Sequence, residues 1–283
     1  MGPRLAWAPG IGDHARPAGL PRPSGGSTAR TAGDPGVPLS LSGSGPDEFP
    51  TPAPPDPHQA SRGPSPDGDR ASMESFIHET AILEDDVAIG EGTRVYSQVH
   101  IRKGVQIGSE TLIGEKSYIA YDVRIGDFCK INAFVYICNG VTLEDGVMVG
   151  AHTTFTNDRF PRAANWEVSE ILPSARTEEK MLTRVRRGAT LGAGCCIAPG
   201  ITIGEFATVG MSSVVIHDVG PHLLVAGNPA RRLGYVCRCG WRVATFVHGP
   251  EFDLKEQGVR CGNCGSALRW KAGGEIECLA DEA

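Results

Sequence analysis

Long apolar runs are missing from this chain. No stretch approaches the roughly 18 consecutive apolar residues that would span a bilayer. The opening residues, Met1-Gly-Pro-Arg-Leu-Ala-Trp-Ala-Pro9, are interrupted by proline and glycine every few positions, so no signal-peptide core can form there. Aromatic residues make up only 6% of the sequence against 40% hydrophobic overall, so the apolar content is mostly small and aliphatic. Positive charge is not in excess either. The 27 Lys and Arg are outnumbered by 33 Asp and Glu, and a net charge of −6 gives no electrostatic footprint for nucleic acid. These absences predict a cytoplasmic protein that neither inserts in a membrane nor binds nucleic acid.

What is present divides into three segments. Residues 1–72 hold 15 of the 21 prolines and 12 glycines, a composition that predicts a disordered extension. Ordered patterning begins directly after Met73, in Met-Glu-Ser-Phe-Ile-His, as it would after a true initiator, so residues 1–72 read either as a mis-assigned start or as a flexible tail. The second segment spans 73–236. From Ile77 an apolar residue recurs every six positions through Leu83, Ile89, Val95, Ile101, Ile107, Ile113, Ile119, Ile125, Ile131, Ile137, Leu143, Val149 and Phe155, and the period resumes at Val185, Leu191, Ile197, Ile203, Val209 and Val215. Four residues after each anchor the side chain is small or β-branched, as at Thr93, Val105, Cys129 and Cys195, which predicts a second inward position of restricted volume. Glycine often follows the anchor directly, as at Gly90, Gly150 and Gly192, where a tight corner tolerates little bulk.

A six-residue period of this kind predicts an all-β solenoid: three short strands and three turns close one triangular coil, and about seven such coils stack around an apolar interior. Cys129 and Cys195, at inward positions, read as core filler. Residues 156–184 interrupt the period with polar and proline-containing sequence, predicting a long loop that leaves the body and can reach a neighbouring subunit. The third segment, 237–283, carries Cys237-Arg-Cys239-Gly and Cys261-Gly-Asn-Cys264-Gly. Two closely spaced thiol pairs read as a small zinc-ribbon-like module in which Cys237, Cys239, Cys261 and Cys264 hold a structural Zn2+, leaving no open coordination position and Cys278 as a bystander.

The stretches Val147-Met-Val-Gly-Ala-His-Thr-Thr-Phe-Thr-Asn-Asp-Arg-Phe-Pro-Arg162, Thr183-Arg-Val-Arg-Arg-Gly-Ala-Thr-Leu-Gly-Ala193 and Gly227-Asn-Pro-Ala-Arg231 resemble the hexapeptide-repeat acyltransferases, and among them the bacterial UDP-2-acetamido-3-amino-2,3-dideoxyglucuronate N-acetyltransferases. The resemblance covers roughly residues 76–236. It implies a left-handed coil, a homotrimer, and acetyl-CoA lying along the groove between two solenoids. It further implies transfer of an acetyl group to a nucleotide-linked amino sugar, in the making of a surface polysaccharide or related glycoconjugate. Cofactor contacts carry over onto Ala193, Met211, His217 and Arg231, with Arg187 as a further phosphate partner.

Sugar O-acetyltransferases of the superfamily place a histidine at the loop entrance, where this sequence has Phe160. Phenylalanine cannot accept a proton. A hydroxyl acceptor needs that help, whereas an amine with a pKa of about 8 already offers a free lone pair in part of its population. Asn157 is then the central polar residue, orienting the amine or the thioester as charge develops on the carbonyl oxygen, with turn capping as its plain alternative. His152 is a second candidate base, and Asn132, His100 and Arg162 are candidate substrate contacts. Two other readings stay open: acetyl transfer to a sugar hydroxyl, and a non-catalytic solenoid scaffold.

Overall fold

The computed structural model describes residues 74–172, 181–245, 259–270 and 276–279, all within one compact unit. The extension 1–72, Met73, part of the loop after Leu172 and the side chain of Cys278 lie outside the described residues. Among the described residues there is no helix long and apolar enough to cross a membrane.

Very short strands, most of two residues, wind into three parallel sheets. The first begins at Phe76–Ile77, the second at Ile82–Leu83 and the third at Ala88–Ile89, and the chain visits them in turn. Phe76 pairs with Arg94 and Ile77 with Val95, so each full coil returns the chain one rung higher. Backbone N–H groups donate upward, for example Phe76 N to Thr93 O at 2.9 Å and His78 N to Val95 O at 2.9 Å. The second sheet holds seven strands and the third six. In the first sheet the parallel series ends at Leu223–Ala226, after which Arg231–Val236 and Arg242–Thr245 continue it antiparallel into the cysteine module. The all-β parallel solenoid expected from the period is therefore the architecture. Its loop closes slightly earlier than the sequence suggested, because Thr183 already pairs with Val141 and begins a strand, Thr183–Val185.

The anchors fill the prism. Ile101, Ile113, Ile131, Phe155, Leu191, Ile197 and Ile203 are completely enclosed. The first coil is open, with Ile77 left 45% exposed at the end of the stack. The second inward position explains its preference for threonine, serine and cysteine. The hydroxyls of Thr93, Thr111, Ser117 and Thr153 donate to carbonyls of the coil above at 2.7–3.1 Å, to Gly108, Gly126, Asn132 and Gly192 respectively. Each polar atom is buried with its partner already built. The Cys129 and Cys195 thiols donate likewise, to Glu144 O and Gly210 O. Burial pushes the Cys129 thiol up to about 11, which keeps it protonated and inert.

The corners are as constrained as the core. A Cβ on Gly150 would stand 2.4 Å from Ala193 N, and one on Gly192 would stand 2.4 Å from Met211 N, so successive coils touch backbone to backbone there. The third residue after most anchors turns through the left-handed region, including Phe134 and His152, with φ of 59° and 60°. Phe155→Ala should cost about 3–5 kcal/mol, because the emptied space lies between coils whose ladders prevent collapse. Chemical denaturation of that variant measures it.

Candidate functional site

The candidate residues fall on three corners. The first corner, between the first and second sheets, carries Asn132, His152, Ala193 and Met211. Their alignment follows from the ladder His152 N to Ala133 O, Gly194 N to Ala151 O and Ser212 N to Ala193 O. Gly150, Gly192 and Gly210 come shortly before His152, Ala193 and Met211 and let successive coils close on one another there, so the corner is narrow and the small Ala193 stands on it with Met211, 77% exposed, on the next coil. Arg231 joins the upper end of this corner. It opens the reversing strand opposite Ala226, and its Nη1 donates to Ala230 O at 3.2 Å.

His152 is exposed, and its ring stacks on Phe134 at 4.8 Å with planes 10° apart. The Lys116 ammonium lies over the other end of this column, 5.1 Å from the Phe134 ring centre. The histidine thus packs along the corner. Asn132 is half-buried, and its carbonyl accepts the Ser117 hydroxyl at 3.1 Å.

The second corner, between the second and third sheets, carries Asn157 and His217, half-buried and exposed respectively. Here the long loop leaves. Phe160 N donates to Asp158 Oδ1 at 2.8 Å, and the Phe160 ring itself is 80% exposed. Further out, Ala164 bridges Ile171, and the Asn165 side chain ties down Ser169 and Glu170. Arg162 is exposed and donates to Pro161 O at 2.9 Å. His152 and Asn157 flank the second-sheet strand Thr154–Phe155 on either side and so stand on different corners of one coil.

His100 lies on the second face between these corners. Its Nε2 is 3.2 Å from Glu84 Oε1, and its ring meets Tyr118 edge-on at 5.4 Å. Tyr118 stacks on Tyr136, and Arg102 donates to the Tyr118 hydroxyl at 2.6 Å. The Arg102 guanidinium, together with the Lys103 backbone N–H, holds the Glu84 carboxyl below its ordinary range. His100 therefore belongs to an ion-pair and aromatic network.

The third corner carries Arg187, exposed, with its backbone N–H donating to Glu144 Oε2 at 3.1 Å. Beside it opens a cleft of about 420 Å³ lined by Arg186, Thr202, Glu205, Asp218 and Pro221 among others. Arg186 is held by Glu144 at 3.0 Å and by Glu205 at 3.4 Å. Sequence reasoning missed this cleft, whose lining comes from three successive coils.

The four cysteines of the third segment do converge. Their Sγ atoms all lie within 4.8 Å of one another, with Cys237 3.5 Å from Cys264 and Cys239 3.6 Å from Cys261. Each thiol pair sits on a knuckle closed by the glycine that follows it. Gly240 N donates to Cys237 O at 2.8 Å and Gly265 N to Cys261 O at 2.9 Å, at φ of 84° and 75°. Hydrogen bonding to Ser266 holds the Cys264 thiol down to about 6, whereas burial pushes Cys237 and Cys261 up.

Three faces, hexapeptide corners and a filled prism define a hexapeptide-repeat β-solenoid. The family described as bacterial transferase hexapeptide (six repeats) matches residues 122–157, and the hexapeptide repeat of succinyl-transferase matches 104–139 and 187–216, so the chain carries transferase hexapeptides. It is 51% identical over 57 residues to a dTDP-3-amino-3,6-dideoxy-alpha-D-galactopyranose 3-N-acetyltransferase of Aneurinibacillus thermoaerophilus, 20% of this chain and 30% of that protein. It is likewise 51% identical over 51 residues to the mitochondrial serine acetyltransferase 3 of Arabidopsis thaliana, 18% of this chain and 13% of that one. Among solved structures, PerB from Caulobacter crescentus, in complex with CoA and GDP-perosamine, shares 26% identity over 58% of each chain with a TM-score of 0.34. The chain thus spans less than a third of these curated relatives.

Proposed function

We propose that this protein is an acetyl-CoA-dependent N-acetyltransferase acting on the amino group of a nucleotide-linked amino sugar, with UDP as the nucleotide and a surface polysaccharide or glycoconjugate as the destination. The reading is supported by transferase hexapeptides along the solenoid and by a relative named for 3-N-acetyl transfer to a dTDP-linked amino sugar. The observation that carries it is the mouth of the loop: Asn157 offers an amide there, and Phe160 stands where a proton-accepting side chain would be required for a hydroxyl.

On this reading the first corner receives the pantetheine arm past Ala193 and Met211, and Arg231, Arg187 and His217 face the phosphates of acetyl-CoA. The neutral amine attacks the thioester carbonyl carbon, the C–S bond breaks, and the proton lost by nitrogen goes to the departing sulfur. Asn157 holds the amine for that attack and stabilises charge as it develops. The corners separate these groups within one chain, which suits a homotrimer in the cytoplasm with coenzyme A between subunits.

Cys237, Cys239, Cys261 and Cys264 are proposed to bind structural Zn2+. A tetrahedron with Zn–S bonds of about 2.3 Å requires sulfurs about 3.8 Å apart, close to the two short separations of 3.5 and 3.6 Å. Bound there, the ion would cross-link two knuckles and supply folding energy.

A thiol-release assay with acetyl-CoA and a panel of nucleotide-linked amino and hydroxyl sugars tests the activity. Release with an amino sugar and none with its hydroxyl analogue is expected. Turnover of the hydroxyl sugar would overturn the argument from Phe160, and no release together with no coenzyme A binding in calorimetry would leave a scaffold.

A further inference from the structure

The second corner contains a buried side chain whose bonding is incomplete. Asn139 is 9% exposed. Its Nδ2 donates to Tyr121 O at 2.7 Å, while its Oδ1 is sealed from solvent and meets no donor among the described residues. Turning the amide over offers no remedy, because it would set Oδ1 against the Tyr121 carbonyl, acceptor against acceptor. Folded proteins rarely leave a buried acceptor unmet, and those that remain call for an explanation.

Stacking supplies a donor. Tyr136 pairs with Thr154, and the same step of one coil that carries Tyr121 to Asn139 carries Asn139 to Asn157. Successive rungs stand about 4.8 Å apart, within the reach of an asparagine amide. Asn157 directly follows Thr156, whose N–H donates to Ile197 O at 3.0 Å as the loop departs, and its side chain makes no hydrogen bond among the described residues. Because Asn139 Oδ1 is closed to solvent, a substrate cannot reach it directly, whereas a neighbouring amide can turn inward to it. Gly140, beside it, accepts Thr183 N at 3.1 Å, so the unmet oxygen sits where the loop both leaves and rejoins the coil.

We propose that Asn139 is a positioning residue for Asn157. When the acceptor amine is bound, Asn157 Nδ2 donates to Asn139 Oδ1, which turns Asn157 Oδ1 outward to accept a hydrogen bond from the amine. The inference rests on the N-acetyltransferase reading above, and it assigns the buried amide a part in orientation rather than in contact with substrate.

A double-mutant cycle separates this from a packing role. Asn139→Leu, which keeps the shape and removes both polar atoms, is expected to lower kcat about ten-fold with KM for acetyl-CoA unchanged. In an Asn157→Ala background the same substitution should have no further effect on kcat. An equal loss in both backgrounds would show that Asn139 holds a trapped water or merely packs the corner, and no loss in the wild-type background would equally overturn the proposal. Asn139→Ser, read through the same cycle, serves if the leucine variant does not fold. Wild-type protein that releases no thiol with any amino sugar removes the parent reading instead, and that result is read before any variant is made.

Discussion

Asn157→Ala should lower kcat for the amino-sugar acceptor by about a hundred-fold, roughly 2.7 kcal/mol, while coenzyme A affinity measured by calorimetry stays at its wild-type value. The asymmetry follows from placement. Asn157 ends the second-sheet side of its coil, whereas Ala193, Met211 and Arg231 line a different corner. Losing one preorganised amide removes stabilisation realised in the transition state and leaves cofactor contacts alone. His152→Ala provides the contrast. Its ring is spent on Phe134, so that variant should retain most of its turnover. Unchanged kcat in Asn157→Ala would end the case for this residue, and a matching rise in KM for acetyl-CoA would place it against the cofactor.

Removal of metal should have its largest effect at the other end of the molecule. Zinc analysis of the purified protein should find about one equivalent per chain, and Cys261→Ser should fall well below that. Cys261 is enclosed and packs with Cys237 and Leu268 in the cluster that continues the solenoid core. Without its ion the module would lose the cross-link between its two knuckles, so the 237–270 region should become the first site of protease cleavage after chelation. The pH dependence has a definite sign. Metal displaces protons from thiols that burial has pushed up at Cys237 and Cys261, so zinc should be lost as pH falls and retained as it rises. A protein with no zinc, and with the same cleavage pattern with and without chelator, would remove the metal site.

Much of the architecture was legible because a filled prism writes itself into sequence as a period. Ile101, Ile131 and Ile197 had to be apolar, and the residues four places on had to be small, since only those side chains fit between rungs. The hydroxyls and thiols at that second position were legible as small but not as donors, because their acceptors belong to the coil above. The knuckles could be read from Cys239-Gly240 and Cys264-Gly265, where the backbone must turn through positive φ. The hand of the coil rested on resemblance alone. Grouping of the site residues was harder. A six-residue step identifies a face but not which of three corners a residue occupies. Asn132, one place after its anchor, and Asn157, two places after its own, prove to sit on different edges. Counting by whole coils, separately on each side of the loop, would have sorted them. The stack of His152 on Phe134 and the orphaned oxygen of Asn139 depend on side-chain direction, for which the sequence carries no signal.

The long excursion costs the wall from which it departs only part of one rung, and Thr156 N still donates to Ile197 O at 3.0 Å. Tyr136 keeps Thr154 as its partner below the departure point, and Val141 meets Thr183 directly after the return. A lineage of such chains could therefore exchange one excursion for another, trading acceptor preference in a single insertion, while the ladder that carries the thermodynamic load is inherited unchanged.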